Sequence, residues 1–334
     1  MSRAEAIAAF QAQAARLAAE ARKNPAAPAG IRGSCTCVES GHRLSDETWA
    51  PKDKSGPPSI DVIYFHGVCE SADTLPVRNL AAAVLRRGWR LRVPEHHGHG
   101  DSDGRPGLID SFDVTVNDAA EYVSHCIRAE DAAPRFALIG HSLGATVAAY
   151  LGGPLREQCG LRFLGAVLLA PAVGADPAML PPAPVIALLR VVSWMAPALR
   201  LRATPFEEPA GYCASDPPPG RNFRGHWPLG TSAVLLELTS ERVPRDCSEG
   251  GMLRSAAAAF PAVVAVGRGD AMVPQDTVEA FVAALTAAAT AASLVKPRIV
   301  EVGVGHQPLM GPGGNAAADF LVREVAGFAA SAGR

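Results

Sequence analysis

The pentapeptide Gly140-His141-Ser142-Leu143-Gly144 sets a hydroxyl nucleophile between glycines. An apolar run, FALI, precedes it and an apolar helical run, ATVAAYL, follows, so G-x-S-x-G falls at a strand-to-helix turn. Such a turn is strained, and small flanking residues let the backbones close in while the serine Oγ projects above the strand end. A serine hydroxyl is a weak nucleophile that needs a base within hydrogen-bond reach, itself oriented by a third group. His306, in Gly303-Val304-Gly305-His306, is the best base, because a glycine-flanked loop lets the imidazole lean over a crevice. His42 lies early in the chain, His125 falls on a helical pattern and His226 sits in an irregular stretch. His96, His97 and His99 share a loop on the right side of the sheet, where loop hydrogen bonding is their expected role.

Asp270 ends the strand pattern AVVAVGRGD and is the best orienting acid. Asp276 competes, but it opens a helix and suits an N-cap region. The chain order is then Ser142, Asp270, His306, and the chemistry would be acyl transfer. That chemistry also needs donors for a tetrahedral oxyanion. The amide of Leu143 supplies one, and the amide of Val68, after His66-Gly67, is the expected second. His66 is expected to hold that loop, leaving the base role to His306.

Strands must end where these residues stand. From Gly33 onward short apolar runs alternate with helical patterns: IDVIYFHG, then a helix over 76–88, WRLRVP, then a helix from Ser111 to about 130. FALIG, FLGAVLLAPAV, AVVAVGRGD and PRIVEVGVGH continue the strand series, with helices near 275–293 and 315–329. Strand–helix alternation predicts an α/β fold with a mostly parallel sheet. CTCVESGHRLSDETWAP reads as two further strands about Gly41, with Cys35 and Cys37 on one face.

The alternation fails between about 174 and 255, a proline-rich stretch read as an insertion over the strand ends, where open α/β sheets bind ligands. The division expected is an N-terminal helical extension (1–30), a core (31–173), a cap (174–255) and the rest of the core (256–334). Within the cap, Val185, Ile186, Leu188, Leu189, Val191, Val192, Trp194 and Met195 suit either packing onto the core or contact with a membrane surface.

FHGVCES (65–71), GHGDSDGRPGLIDSF (98–112), GHSLG (140–144), GRGDAMVP (267–274) and GVGH (303–306) together resemble the α/β-hydrolase superfamily. Within it the chain is similar to the monoacylglycerol lipase-like branch, also called the serine aminopeptidase S33 or hydrolase-4 family, over about residues 35–330. GHG followed by SDG and a Ser-Phe-Asp helix start is the most branch-specific element; Tyr212-Cys-Ala-Ser-Asp216-Pro resembles a cap segment of the same branch. The resemblance implies an α/β-hydrolase fold with an inserted cap, Ser142 as nucleophile, Asp270 as acid, His306 as base, and Val68 and Leu143 as oxyanion donors. It implies a small-molecule acyl ester substrate, monoacylglycerol- or lysophospholipid-like, with acyl transfer or amide cleavage as alternatives on the same triad. A non-catalytic binding protein on this scaffold is a further alternative, though it would be expected to lack a triad member. Two departures stand out: Cys69-Glu70-Ser71 replaces a Gly-Glu-His stretch, and Ala145 stands where the branch often has glycine.

The whole composition fits. Of 334 residues 48% are hydrophobic and only 19% charged, enough for a sizeable core without staples. Thirty-one Lys and Arg against 33 acids leave a formal charge of −2, which argues against a nucleic-acid partner. Seven scattered cysteines lack the paired spacing of a zinc site and read as reduced thiols of a cytoplasmic protein; no metal or other cofactor is expected. No run of eighteen apolar residues is present, and the N-terminal stretch is a poor secretory signal. Oligomeric state is left open.

Overall fold

The run Ile60–Phe65 sends alternate side chains into two apolar layers, and that alternation organises the molecule. Ile60, Val62 and Tyr64 join one buried cluster, Ile63 and Phe65 the other. Phe136 and Leu138 likewise face opposite to Ala137 and Ile139. A strand buried on both faces reads as an unbroken apolar run because each side chain has its own layer of helices to meet.

The computed structural model describes residues 30–52, 59–68, 70–128, 134–175, 180–200, 227–270, 272–309 and 314–332. Eight strands are described: β1 (Ile31–Thr36), β2 (Arg43–Trp49), β3 (Ile60–Phe65), β4 (Arg90–Pro94), β5 (Arg135–His141), β6 (Phe163–Leu169), β7 (Ala262–Arg268) and β8 (Arg298–Val304). They form one sheet in the order β1-β2-β4-β3-β5-β6-β7-β8. The β1–β2 and β2–β4 pairs are antiparallel and the rest parallel. The predicted mostly parallel α/β sheet is therefore observed. Since β7 and β8 continue the sheet from β6, the chain on both sides of the 174–255 stretch shares one core.

Helices α1 (Leu75–Arg86) and α8 (Gly314–Ala332) contribute to one layer. Helices α2 (Phe112–Arg128), α3 (Leu143–Cys159) and α7 (Gln275–Ala291) contribute to the other. Ser111 caps α2 as its side chain accepts the Val114 amide, 3.1 Å away. Between β6 and β7 lie α4 (Ala183–Met195), α5 (Leu229–Glu237), a π turn (Leu238–Arg242) and α6 (Val243–Cys247). Leu238, Val243 and Leu253 from this stretch belong to the buried cluster on the α3 side. The extension expected over residues 1–30, except Gly30, and the Tyr212–Asp216 segment lie outside the described residues.

The β1–β2 hairpin turns at Gly41, whose φ of +74° is open to glycine. It is tied to α2 by a polar cluster. Asp118 accepts from the Ser40 hydroxyl and from Nδ1 of His42 at 2.9 Å, with Nδ1 of His97 3.5 Å away. Burial alone would raise the Asp118 pKa, but these donors hold it below the usual carboxylate range. The two imidazole nitrogens and the carboxylate lie within 4.8 Å of one another, a spacing that would suit a cation. The protonation argues otherwise. His97 Nε2 accepts the Asp110 amide at 3.0 Å, which puts the ring proton on Nδ1, facing Asp118.

Candidate active site

The strand-to-helix turn after β5 is strained as its sequence requires. Ser142 has φ 51° and ψ −117°, a backbone that non-glycine residues rarely adopt. It persists because its surroundings hold it: the Ser142 amide donates to Leu169 O at 2.9 Å, and Ser142 O accepts the Ala172 amide at 3.1 Å. The flanking glycines are demanded by close approach. A Cβ on Gly144 would stand 2.1 Å from Phe65 O, and one on Gly140 2.3 Å from Gly144 O. Backbone cannot move aside as a side-chain end can. Gly144→Ala is therefore expected to cost on the order of 1–3 kcal/mol or more, read as a lowered Tm in thermal unfolding.

His306 follows β8 and reaches back across the sheet. Its Nδ1–H donates to Asp270 Oδ2 at 2.9 Å, leaving Nε2 to accept the Ser142 hydroxyl at 3.0 Å. Side chains of His306 and Asp270 are only 7% and 8% exposed, so water competes little for this chain of bonds. Asp270 stands just beyond β7, its other oxygen accepting the amides of Met272 (2.8 Å) and Val273 (3.3 Å). Burial pushes its carboxyl pKa up, but the His306 imidazole and the two amides outweigh that and hold it below the usual range. Asp276 lies exposed in the first turn of α7, its carboxylate on the Thr277 amide.

Most of the other described histidines are committed to structural hydrogen bonds. His66 is buried: Nδ1–H donates to Gly67 O at 2.7 Å and Nε2 accepts the His96 amide at 3.1 Å. Burial lowers its pKa and keeps it neutral, so it holds the Gly67 loop as expected. His96 Nε2–H returns a bond to His66 O at 3.0 Å, and His99 donates to His97 O at 3.1 Å. Burial brings the His99 pKa down to about 3. His42 is occupied with Asp118, His125 is exposed on α2, and His226 lies outside the described residues.

Gly67 runs against Ser142, a Cβ there meeting His141 Nδ1 at 3.0 Å and Ser142 Cβ at 3.2 Å. The turn closed by the Glu70 amide on Gly67 O, 3.3 Å, carries Val68 beside this contact. Leu143 is the first residue of α3, where helical geometry leaves the amide without an intrahelical acceptor.

Sequence reasoning missed one layer. Glu70 is fully buried beneath the loop, accepting the Gly67 amide at 2.7 Å and the Gln307 side-chain amide at 2.7 Å. It also faces His141 Nδ1 at 2.8 Å, and His141 Nε2 reaches His306 O at 2.8 Å. Glu70 keeps the Glu of the stretch that resembles the family's Gly-Glu-His, but nothing local marks Gln307, and His141 occupies a variable place in its motif. Only the meeting of the loop after β3, the end of β5 and the loop after β8 joins them.

A strained serine elbow, a histidine after the last strand bonded to it, and a buried aspartate behind that histidine define a protein of the α/β-hydrolase class. The profile described as serine aminopeptidase, S33 (Hydrolase_4), matches residues 56–241, more than half of the chain. The chain belongs to this family. It is 29% identical over 137 residues to the monoglyceride lipase of Homo sapiens, covering 41% of this chain and 42% of that protein. The match thus spans less than half the length of such curated relatives. Among solved structures, a soluble variant of the Saccharomyces cerevisiae monoglyceride lipase superposes with TM-score 0.65 at 12% identity, over 90% of this chain and 96% of that one. The Paleococcus ferrophilus monoacylglycerol lipase superposes with TM-score 0.60 at 18% identity, over 85% and 99%. At those identities the likeness shows the α/β-hydrolase fold.

Proposed function

We propose that the chain is a cofactor-independent serine hydrolase of carboxylic esters, with monoacylglycerol- or lysophospholipid-like lipids as favoured substrates. The continuous bond chain Asp270–His306–Ser142, 2.9 and 3.0 Å per link, carries the reading. Ser142 attacks the ester carbonyl as His306 Nε2 takes its proton. Asp270 fixes the imidazole tautomer and stabilises the imidazolium. The amides of Val68 and Leu143 hold the oxyanion. Collapse expels the alcohol, protonated by His306, and water activated by the same ring then releases the acid from the acyl-enzyme. The kinship with monoglyceride lipases supports an acyl-lipid over a small soluble ester.

In this reading residues 174–255 form a cap that admits the acyl chain and touches a lipid surface. Helix α4 supports this by dividing its apolar residues. Ile186, Leu189 and Val192 are partly covered, while Val185, Leu188, Val191, Trp194 and Met195 are exposed, with Leu188 at 62% and Trp194 at 84%. An outward row of aliphatics ending in Trp suits an interfacial helix. Among the described residues no helix is long and apolar enough to cross a membrane. We place the working protein in the cytoplasm, a setting that suits the free thiols of Cys35, Cys37, Cys126, Cys159 and Cys247.

A panel of esters varying acyl length and alcohol, presented dispersed or in phospholipid vesicles, tests both parts. Long-chain monoacyl esters should be cleaved fastest, and Leu188→Glu with Trp194→Glu should slow only the vesicle-borne ones. Activity confined to short soluble esters overturns the lipid reading.

A further inference from the structure

The chain buries a second acid–histidine pair directly behind the nucleophile. The side chains of His141 and Glu70 are each about 1% exposed. His141 Nδ1 meets Glu70 Oε1 at 2.8 Å, and its Nε2 meets the carbonyl oxygen of His306 at 2.8 Å. A carbonyl oxygen only accepts, so Nε2 carries a proton. Nδ1 faces Glu70 at 2.8 Å and, more distantly at 3.4 Å, Gln307 Nε2, whose shorter bond at 2.7 Å goes to Glu70 Oε1, so the proton on Nδ1 depends on Glu70. That carboxyl already takes the Gly67 amide and the Tyr64 hydroxyl (3.3 Å) on Oε2, and the Gln307 amide on Oε1. Three donors converging on two oxygens favour the ionised carboxylate, which can then only accept from Nδ1.

We propose that Glu70 and His141 form a buried carboxylate–imidazolium pair, positioning residues that lock the oxyanion loop to the loop carrying the base. Glu70 grips Gly67, next to Val68, while His141 and Gln307 hold His306 at its own carbonyl and at the following side chain. One carboxylate thereby sets the spacing between the oxyanion donors and the general base. The inference rests on the ester-hydrolase reading for its kinetic consequence, but the protonation state stands apart from it.

The surrounding charges agree. Burial works against a charged His141, yet Glu70, the His306 carbonyl and the nearby Asp270 together raise its pKa. Of the titratable rings nearby, His306 lies with its ring centroid 5.2 Å away, burial keeps His66 and His99 neutral, and burial with Glu70 keeps the Tyr64 hydroxyl protonated.

The test is nitrogen-resolved NMR of the full chain labelled with 15N-histidine, beside steady-state ester hydrolysis and fluorophosphonate labelling. One imidazole should keep both nitrogens protonated at pH above the ordinary histidine value of about 6.5. His141→Gln should remove that signal and so assign it. In Glu70→Gln, an isosteric change, the ring should revert to one protonated and one bare nitrogen. Its kcat should fall by up to about 100-fold with KM nearly unchanged, as loops shift by fractions of an ångström. A His141 ring singly protonated in the wild type, or titrating near 6.5, overturns the proposal even should Glu70→Gln fail to fold. So does a charged ring that survives Glu70→Gln, or a Glu70→Gln enzyme with unchanged kcat. A chain inert to esters and probe, yet keeping the doubly protonated ring, would sink the hydrolase reading and with it the positioning role, while the ion pair would stand.

Discussion

Ser142→Ala should abolish covalent labelling by a fluorophosphonate probe and lower kcat for ester hydrolysis by about 10⁴–10⁶-fold. The size follows from what one oxygen does. Without Oγ there is no atom to form the acyl-enzyme, and His306 loses the donor it accepts at 3.0 Å. What remains is whatever the oxyanion amides and substrate positioning contribute to attack by water. Alanine has no β-branch and fits the elbow as serine does. The strained φ of 51° therefore stays, and the variant should fold with a Tm close to that of the wild type. Persistent labelling in this folded variant would remove Ser142 from the reaction.

Asp270→Asn should lower kcat by about 10⁴-fold while leaving the fold intact. The surroundings dictate how the new amide turns. Oδ1 is held by the Met272 and Val273 amides, so asparagine must keep its oxygen there and present its NH₂ to His306. His306 Nδ1 would then accept, its proton would move to Nε2, and that nitrogen could no longer take the Ser142 proton. The stability effect has a defined sign. Asp270 has a folded pKa below its unfolded value of about 3.9, so its contribution is complete above that pH. It is lost as pH falls through the folded value. The Tm gap between wild type and Asp270→Asn should therefore be largest near neutrality and narrow on acidification. A gap that widens toward low pH would contradict the charge–imidazole pairing.

Much of this was legible because the relevant constraints are local. A nucleophile elbow needs glycines within two residues of the serine, and Gly140 and Gly144 supply them. Asp270 and His306 end apolar runs, and the carboxyl ends of parallel strands are where side chains can meet. The Ser111 cap and the Gly41 turn are likewise short-range signals. Helix α4 was only half legible. Its apolar residues meet the demands of burial and of exposure equally well, and tertiary packing of α4 decided which of them stay outside.

The sequence alone therefore determined the fold class, the triad candidates and their order along the chain. Each follows from periodicity or from a motif a few residues long. Tertiary structure decided the distances between the triad candidates and the neighbours that fix their protons. It also brought Glu70, His141 and Gln307 together, along with the His42–His97–Asp118 cluster. Those residues are far apart in the chain, and no local signal pairs them. Their meaning comes from low-dielectric contact across loops, where each buried donor and acceptor must find a partner, and no local pattern encodes that requirement.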